Sequence, residues 1–530
     1  MSSRLARSAG IISIATMTSR VLGVAREAAL AAVFGASSTM QMDAFNVAFR
    51  IPNLLRDLFA EGAMTAAFVP TFTRTMTAQG REAAWRLGSL VINTLLIVTG
   101  LLVVVGIIYA DPLTRAIASG EEFAAQPGKV ELTVYLTRIM LPFLTTVAVA
   151  VAMMGMLNSL RRFFIPALSP AMFNVATIAC AFAVVPLMPL VGLPPIAGIA
   201  IGTLLGGLGQ ILIQWPALHR EGFRYQPVLD FRDPALREIL RLMGPGTLGL
   251  AAVQINVFVN TYLATTQEQG AISWLTYAFR LMYLPIGLFG VSIATAALPE
   301  IARYASSSDH QGMRRTISSG LRMMLMLNVP ATVGLIVLAD PIIAVILERG
   351  EFLPYDTAAT AAALMFYAPG LVGYSIVKIA SPSFYSLRDA RTPVLVSVAS
   401  VAANLGMNLV LVRVMGFRGL ALGTAIAAVL NAGLLLWLLG RRLNGLDGWR
   451  VLVAFLKIAG ASALMGLAAY FMNQWLAGEL PGRGELVKLV RLAASMATGI
   501  IVLLLSARLL RIAEFDEALA RVLQRLLPAR

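Results

Sequence analysis

Apolar runs of bilayer-crossing length return fourteen times along this chain, and most of the charge lies in the short breaks between them. A crossing helix takes about 20 apolar residues. Hydrocarbon offers the backbone no hydrogen-bond partners, so such runs must fold as helices. The pattern therefore predicts an all-α polytopic membrane protein with 14 transmembrane helices, the first over 9–34 and the last over 487–510. Composition agrees: 58% of residues are hydrophobic and 13% charged, where soluble domains carry about 25% charged residues. The one cysteine, Cys180, excludes an internal disulfide framework. Two histidines, His219 and His310, argue against a histidine-built metal centre, and no metal is expected.

The net charge of +15 does not point to nucleic acid. Cytoplasmic loops of membrane proteins concentrate Lys and Arg, and the breaks here alternate accordingly. With the N-terminus inside, the inner loops hold Arg74, Arg81, Arg161, Arg162, Arg220, Arg224, Arg303, Arg314, Arg388, Arg391, Arg441 and Arg442. The outer loops hold Asp111, Glu121, Glu122, Asp340, Glu348, Glu351 and Asp356, with Arg413 and Arg418 as one exception. An even helix count puts both termini in the cytoplasm.

The chain also repeats itself. "SLRRFFIP" from Ser159 is matched by "SLRDARTP" from Ser386, and "GIAIGT" from Gly198 by "GLALGT" from Gly419. "FVPTFTR" and "ALPEIAR" align on Pro70 and Pro299. Collinear matches across an even number of helices predict two parallel six-helix repeats, a recurring transporter plan. The expected division is a lobe over 1–225, a second over 226–445, and two additional helices with a basic cytoplasmic tail over 446–530.

Charges inside the spans are the functional signal, because an ionised side chain at a helix centre costs about 2.5–3.5 kcal/mol to insert and normally faces a cavity or the bundle interior. The first helix carries Arg20, Arg26 and Glu27, with Gly23 between them as a bend point. The second carries Asp43 and Arg50, then Pro52, then Arg56 and Asp57, with Glu61 just beyond. Pro52 interrupts the hydrogen-bond ladder, so Gly23 and Pro52 are the candidate hinges. Arg50 and Asp57 are equally explained by snorkelling to the interface. Arg280 lies well inside the eighth helix. Arginine in excess of carboxylate suits an anionic substrate, the planar fork matching phosphate oxygens. Asn404, Asn408 and Thr424 either bind a coupling cation such as Na+ or glue helices together.

"TSRVLGVARE", "DAFNVAFRIPNLLRDLFAEGAMTAAFVP", "MGPG" and "FYSLRDARTP", with the 6+6+2 helix plan, resemble the MurJ/MviN lipid II flippases of the MOP exporter superfamily over essentially the whole chain. The resemblance implies a flippase of the bacterial inner membrane moving undecaprenyl-diphosphate-linked glycopeptide, lipid II, to the outer leaflet for peptidoglycan synthesis and cell shape. It implies substrate-binding arginines at Arg20, Arg26, Arg56 and Arg280, with acidic support at Glu27, Asp43 and Glu61. Membrane lipids, and other cell-wall synthesis proteins, are the further partners it brings. No cofactor is implied beyond Na+ or H+ coupling. Some members have acidic residues beside the last arginine, where this chain has Phe279 and Tyr283.

Two other readings stand beside it. An exporter of another polyprenyl-diphosphate-linked oligosaccharide fits the same arginines, whereas a drug exporter would favour cavity carboxylates. A membrane glycosyltransferase would need catalytic carboxylates in sizeable outer loops. No P-loop, GxSxG or HExxH motif occurs, so the expected activity is transport and not catalysis.

Overall fold

The computed structural model describes residues 2–57, 62–482, 484–512, 514 and 515, with the side chains of 2–14, 62, 63, 65, 66 and 244–253 excluded. Among the described residues it is helical, without strands. The first helices are α1 (Ser2–Phe34), α2 (Gln41–Arg56), α3 (Gly62–Gln79), α4 (Arg81–Ile108), α5 (Ala110–Ile117) and α6 (Glu121–Ala124). Next come α7 (Lys129–Met140), α8 (Phe143–Ser159), α9 (Phe164–Ala183), α10 (Ala197–Arg220) and α11 (Pro234–Thr265). The remainder are α12 (Ala271–Pro285), α13 (Val291–Ser306), α14 (His310–Val337), α15 (Ala339–Ile346) and α16 (Pro354–Tyr367). Then follow α17 (Gly370–Ser386), α18 (Arg391–Met415), α19 (Phe417–Arg442), α20 (Gly448–Glu479) and α21 (Glu485–Leu509).

Among the described residues, ten helical spans are long and apolar enough to cross a membrane, or eleven when the bent pair α16–α17 is one span. The helices at Ser2–Phe34, Gln41–Arg56 and Pro234–Thr265, expected as the first, second and seventh crossings, fall outside that set. Charge inside the first two is the reason the sequence singled them out.

The chain packs as two compact units, Met1–Ser273 with Arg349–Leu353, and Trp274–Glu348 with Pro354–Arg530. The repeat turns over near residue 225, whereas close packing runs on to Ser273. The seventh helix, α11, explains the difference: Arg74 of α3 pairs with its Glu238, and its Gln254 Nε2 donates to Asp57 Oδ2 at 3.2 Å. Its start is set locally. Asp233 Oδ1 accepts from the Ala235 and Leu236 amides at 2.9 and 3.2 Å, and Pro234 supplies the fixed φ of a first helical turn.

The first unit's core is an aromatic relay through α3, α4 and the segment after α10: Phe68 to Phe72 at 5.3 Å, Phe72 to Trp85 at 5.8 Å, Trp85 to Phe223 at 5.5 Å. In the second unit α14 is covered on one side by α13 and α17, through Met313, Ile317 and Ile379. On another side it is covered by α20, through Leu325, Val329, Ile458 and Ala461.

The repeat is visible in backbone detail. Arg161 and Arg388, each third in its "SLR" motif, have φ of 60° and 59°. Each closes the helix before it the same way: Arg162 N donates to Leu157 O, and Asp389 N to Phe384 O, both at 2.9 Å. The ion pairs at these corners are exchanged in sign. Arg162 Nε bonds Glu221 Oε1 at 2.7 Å at the end of α10, while Asp389 pairs with Arg442 at the end of α19. Glu221 and Arg442 sit 221 residues apart, the offset of "GIAIGT" and "GLALGT".

Candidate functional site

Arg20 lies half-buried in the middle of α1 and forms no ion pair among the described residues. Six residues on, Arg26 is bound by its neighbour. Its Nε reaches Glu27 Oε1 at 3.1 Å, and its guanidinium sits over the Phe173 ring of α9 at 5.0 Å. The two side chains are 13% and 9% exposed, so this is a largely desolvated pair braced by a cation–π contact. α1 lies close along α9, and Asn174 Nδ2 donates to Ser19 O at 3.1 Å. That carbonyl is one residue before Arg20. Gly23 faces the same asparagine: a Cβ added there would stand 3.7 Å from Asn174 Nδ2, an ordinary contact.

On α2 the charges divide by depth. Asp43 is 1% exposed and accepts from four donors. These are Lys129 Nζ at 3.3 Å, Gly270 N at 2.9 Å, Ser273 N at 3.1 Å and Ser273 Oγ at 2.7 Å. Asn46, one turn further, donates to the same Ser273 Oγ at 3.1 Å. Lys129 in turn lies 4.4 Å from the Phe123 ring centroid. Asp43 therefore ties α2 to the start of α7 and to the turn before α12. Past Pro52, Arg56 and Asp57 form a pair at 2.8 Å with both side chains about a quarter exposed, and Asn53 and Gln254 both donate to Asp57 Oδ2. Arg50 is half-buried. Glu61 lies outside the described residues.

In the second unit Arg280 is half-buried on α12. Its flanking residues build an aromatic cluster: Phe279 stacks on Tyr283 at 5.9 Å and meets Tyr367 edge-on at 5.5 Å and Tyr374 at 6.2 Å. These rings flank Arg280 in sequence on α12, and Tyr283 among them is exposed. Asn404 and Asn408 are buried, and Asn408 Nδ2 donates to Asn404 Oδ1 at 3.2 Å. Gly423 of α19 lies directly against Asn408, with no room for a Cβ. The Thr424 hydroxyl donates to its own helix at Leu420 O, 2.8 Å away. No group of three metal-ligating side chains occurs among the described residues.

The model of the family described as "Lipid II flippase MurJ" matches residues 30–483. The chain belongs to the MurJ lipid II flippase family. A probable MurJ of Vibrio cholerae is 35% identical over 440 residues, covering 82% of this chain and 83% of that protein. A MurJ of Burkholderia cenocepacia is 35% identical over 458 residues, with 85% and 86% covered. A solved MurJ in an inward closed conformation superimposes with TM-score 0.75 at 26% identity, covering 94% of this chain and 98% of that one. An inward-facing MATE transporter of the MOP superfamily has TM-score 0.68 at 17% identity over 83% of this chain, which speaks to fold alone. The all-α polytopic fold and the family reading of the sequence both stand.

Reasoning from sequence missed several of the side chains that surround these charges. Lys129, Ser273, Phe173 and Gln254 each contact one of the singled-out charges, and Asn174 binds the carbonyl before Arg20. Lys129 sat at the edge of an outer break, 86 residues from Asp43. A full-length lysine beside a helix start is read as solvated unless its partner is known, so no local signal marked it.

Proposed function

We propose that this protein is a lipid II flippase, carrying the precursor from the cytoplasmic to the outer leaflet of the bacterial inner membrane by alternating access, and that it is not a catalyst. Arg20, Arg26, Arg56 and Arg280 bind the diphosphate in this reading, and the halves of the chain rock about bends near Gly23 and Pro52. Both termini lie in the cytoplasm, and α20 and α21 flank the path of the undecaprenyl tail.

The observation that carries the reading is Arg20: a mid-helix guanidinium, half-buried, with no carboxylate paired to it among the described residues. A cation inside a span without a counter-ion is held at a cost, and a charge retained there marks a substrate path before it marks a structural role. A diphosphate carries about two negative charges and must be matched on entering a low-dielectric space. Arginine from several helices does this with bidentate bonds. The inside-negative potential then favours outward movement of the anion by about 2.3 kcal/mol per charge per 100 mV. A cation on Asn404, Asn408 and Thr424 is a separate addition to this reading, supported by the burial of both amides.

The test is rescue of a bacterium depleted of its own lipid II flippase, with lipid-linked precursors extracted and quantified. Growth with a normal precursor pool supports the assignment. Failure to rescue at normal membrane level, together with export of a different polyprenyl-linked oligosaccharide, overturns it in favour of the sister exporter.

A further inference from the structure

Away from the arginines of α1, α2 and α12, the second unit contains a cavity of about 260 Å³ among α15, α16, α20 and α21. Charged and polar groups converge on it: Asp340, Glu348, Thr357, Asn473, Lys488 and Arg491. Some of these satisfy one another. Lys488 Nζ lies 3.2 Å from Glu348 Oε1 and 3.2 Å from Glu485 Oε1, and Thr357 Oγ1 donates to Glu348 Oε2 at 2.7 Å.

Two others are left over. Arg491 Nε and Asn473 Oδ1 are both buried and have no hydrogen-bond partner. An unpaired buried polar group is costly, so a donor and an acceptor stranded in the cavity lining define what would complete it. The ligand must offer an anionic oxygen to the arginine and an N–H donor to the asparagine.

The position narrows the class. The cavity wall takes Asn473 from the end of α20 and Lys488 and Arg491 from the start of α21, helices whose most apolar stretches are only 33% and 22% buried. Phe471, Trp475 and Leu486, at 65%, 60% and 72% exposure, lie near the same ends of those helices, outside the cavity lining. Exposed aromatic rings at the end of a span are the mark of the membrane–water interface. A cavity this size is below the usual range for a whole small molecule, but admits a headgroup whose acyl chains lie along the helices outside.

We infer that this cavity binds the headgroup of a zwitterionic phospholipid, the phosphodiester on Arg491 and a primary ammonium on Asn473 and Asp340. The state of Asp340 is consistent with this. Burial first, and then the nearby Glu348, hold its carboxyl above the usual range against the pull of Arg491, and an ammonium beside it supplies the missing positive charge. The assignment is independent of the transported substrate.

Native mass spectrometry of the full chain, offered equimolar dioleoyl phosphatidylethanolamine, phosphatidylcholine and phosphatidylglycerol, tests it. One phosphatidylethanolamine should be retained about tenfold better than either competitor, the worth of one charge-assisted hydrogen bond. Arg491→Ala and Asn473→Leu should each remove that preference. Equal retention of phosphatidylglycerol, or an undiminished preference in both variants, overturns the proposal. Thermal protection of the unaltered protein by glycerophosphoethanolamine covers the case in which a variant does not fold. Protection by glycerophosphoethanolamine but not by free alanine supports a lipid headgroup, whereas equal protection by alanine contradicts the lipid assignment.

Discussion

Asp43 and Lys129 form an ion pair with Oδ2 and Nζ 3.3 Å apart, and their side chains are 2% and 1% exposed. Neither charge is left to water, and the Asp43 carboxylate is also held by Ser273 and the Gly270 amide. Removing one partner of a buried pair strands the other, at about 3–5 kcal/mol. Lys129→Met should therefore lower the thermal midpoint in detergent and reduce membrane level. Asp43→Asn with Lys129→Met should recover part of the loss, because no net charge is then buried. A midpoint unchanged by Lys129→Met would show that the pair is not stabilising.

The corners after the "SLR" motifs offer a pH test. The Thr392 amide and hydroxyl, with help from Arg442, hold the Asp389 carboxyl below its usual range. An acid with a depressed folded value adds stability above its unfolded pKa and loses it as pH falls through the folded value. Asp389→Asn should thus be least stable relative to the unaltered protein at neutral pH, the gap closing below about pH 4. The difference should be modest, because this group is exposed. Thermal melts at pH 7 and pH 3.5 check it, and a gap that widens on acidification contradicts it.

Gly23 separates packing from motion. An alanine there meets only an ordinary contact at 3.7 Å and raises helix propensity by about 1 kcal/mol. Gly23→Ala should fold and accumulate normally, while slowing transport if α1 bends at this point. Unimpaired flipping in a normally folded Gly23→Ala protein removes the hinge from α1.

The final two helices are integrated with α14. Ile458 and Ala461 are fully buried in the cluster with Leu325 and Val329, and Arg322 pairs with Glu514. Deleting 446–530 exposes that apolar face, so the truncated chain should show a lowered melting midpoint as well as lost transport. A truncation as stable as the full chain would make α20 and α21 an accessory.

Much of this was readable from residues alone. Apolar runs mark helices because a bilayer leaves the backbone no alternative, and the "SLR" repeat surfaced as matched left-handed corners at Arg161 and Arg388. The charges inside the first two helices were legible as exceptions to that rule. Their partners were not, since Phe173, Lys129 and Gln254 come from distant helices and carry no periodic signature. The same holds for the packing of α11 with the first unit. A repeat in sequence records the order of helices, whereas packing depends on which faces meet.

The central claim is that the four arginines hold a lipid diphosphate. Arg20→Ala, Arg26→Ala, Arg56→Ala and Arg280→Ala should be compared in flippase-depleted cells by measuring the lipid II accessible at the outer leaflet, with membrane level quantified in parallel. The account predicts normal membrane level and loss of outer-leaflet lipid II in each, about 10–100-fold for each set of charge-assisted bonds removed. Arg→Lys should restore only part, because it keeps the charge and loses the fork. Normal outer-leaflet lipid II in the alanine variants, or their failure to accumulate in the membrane, would contradict a substrate-binding role and make these arginines structural.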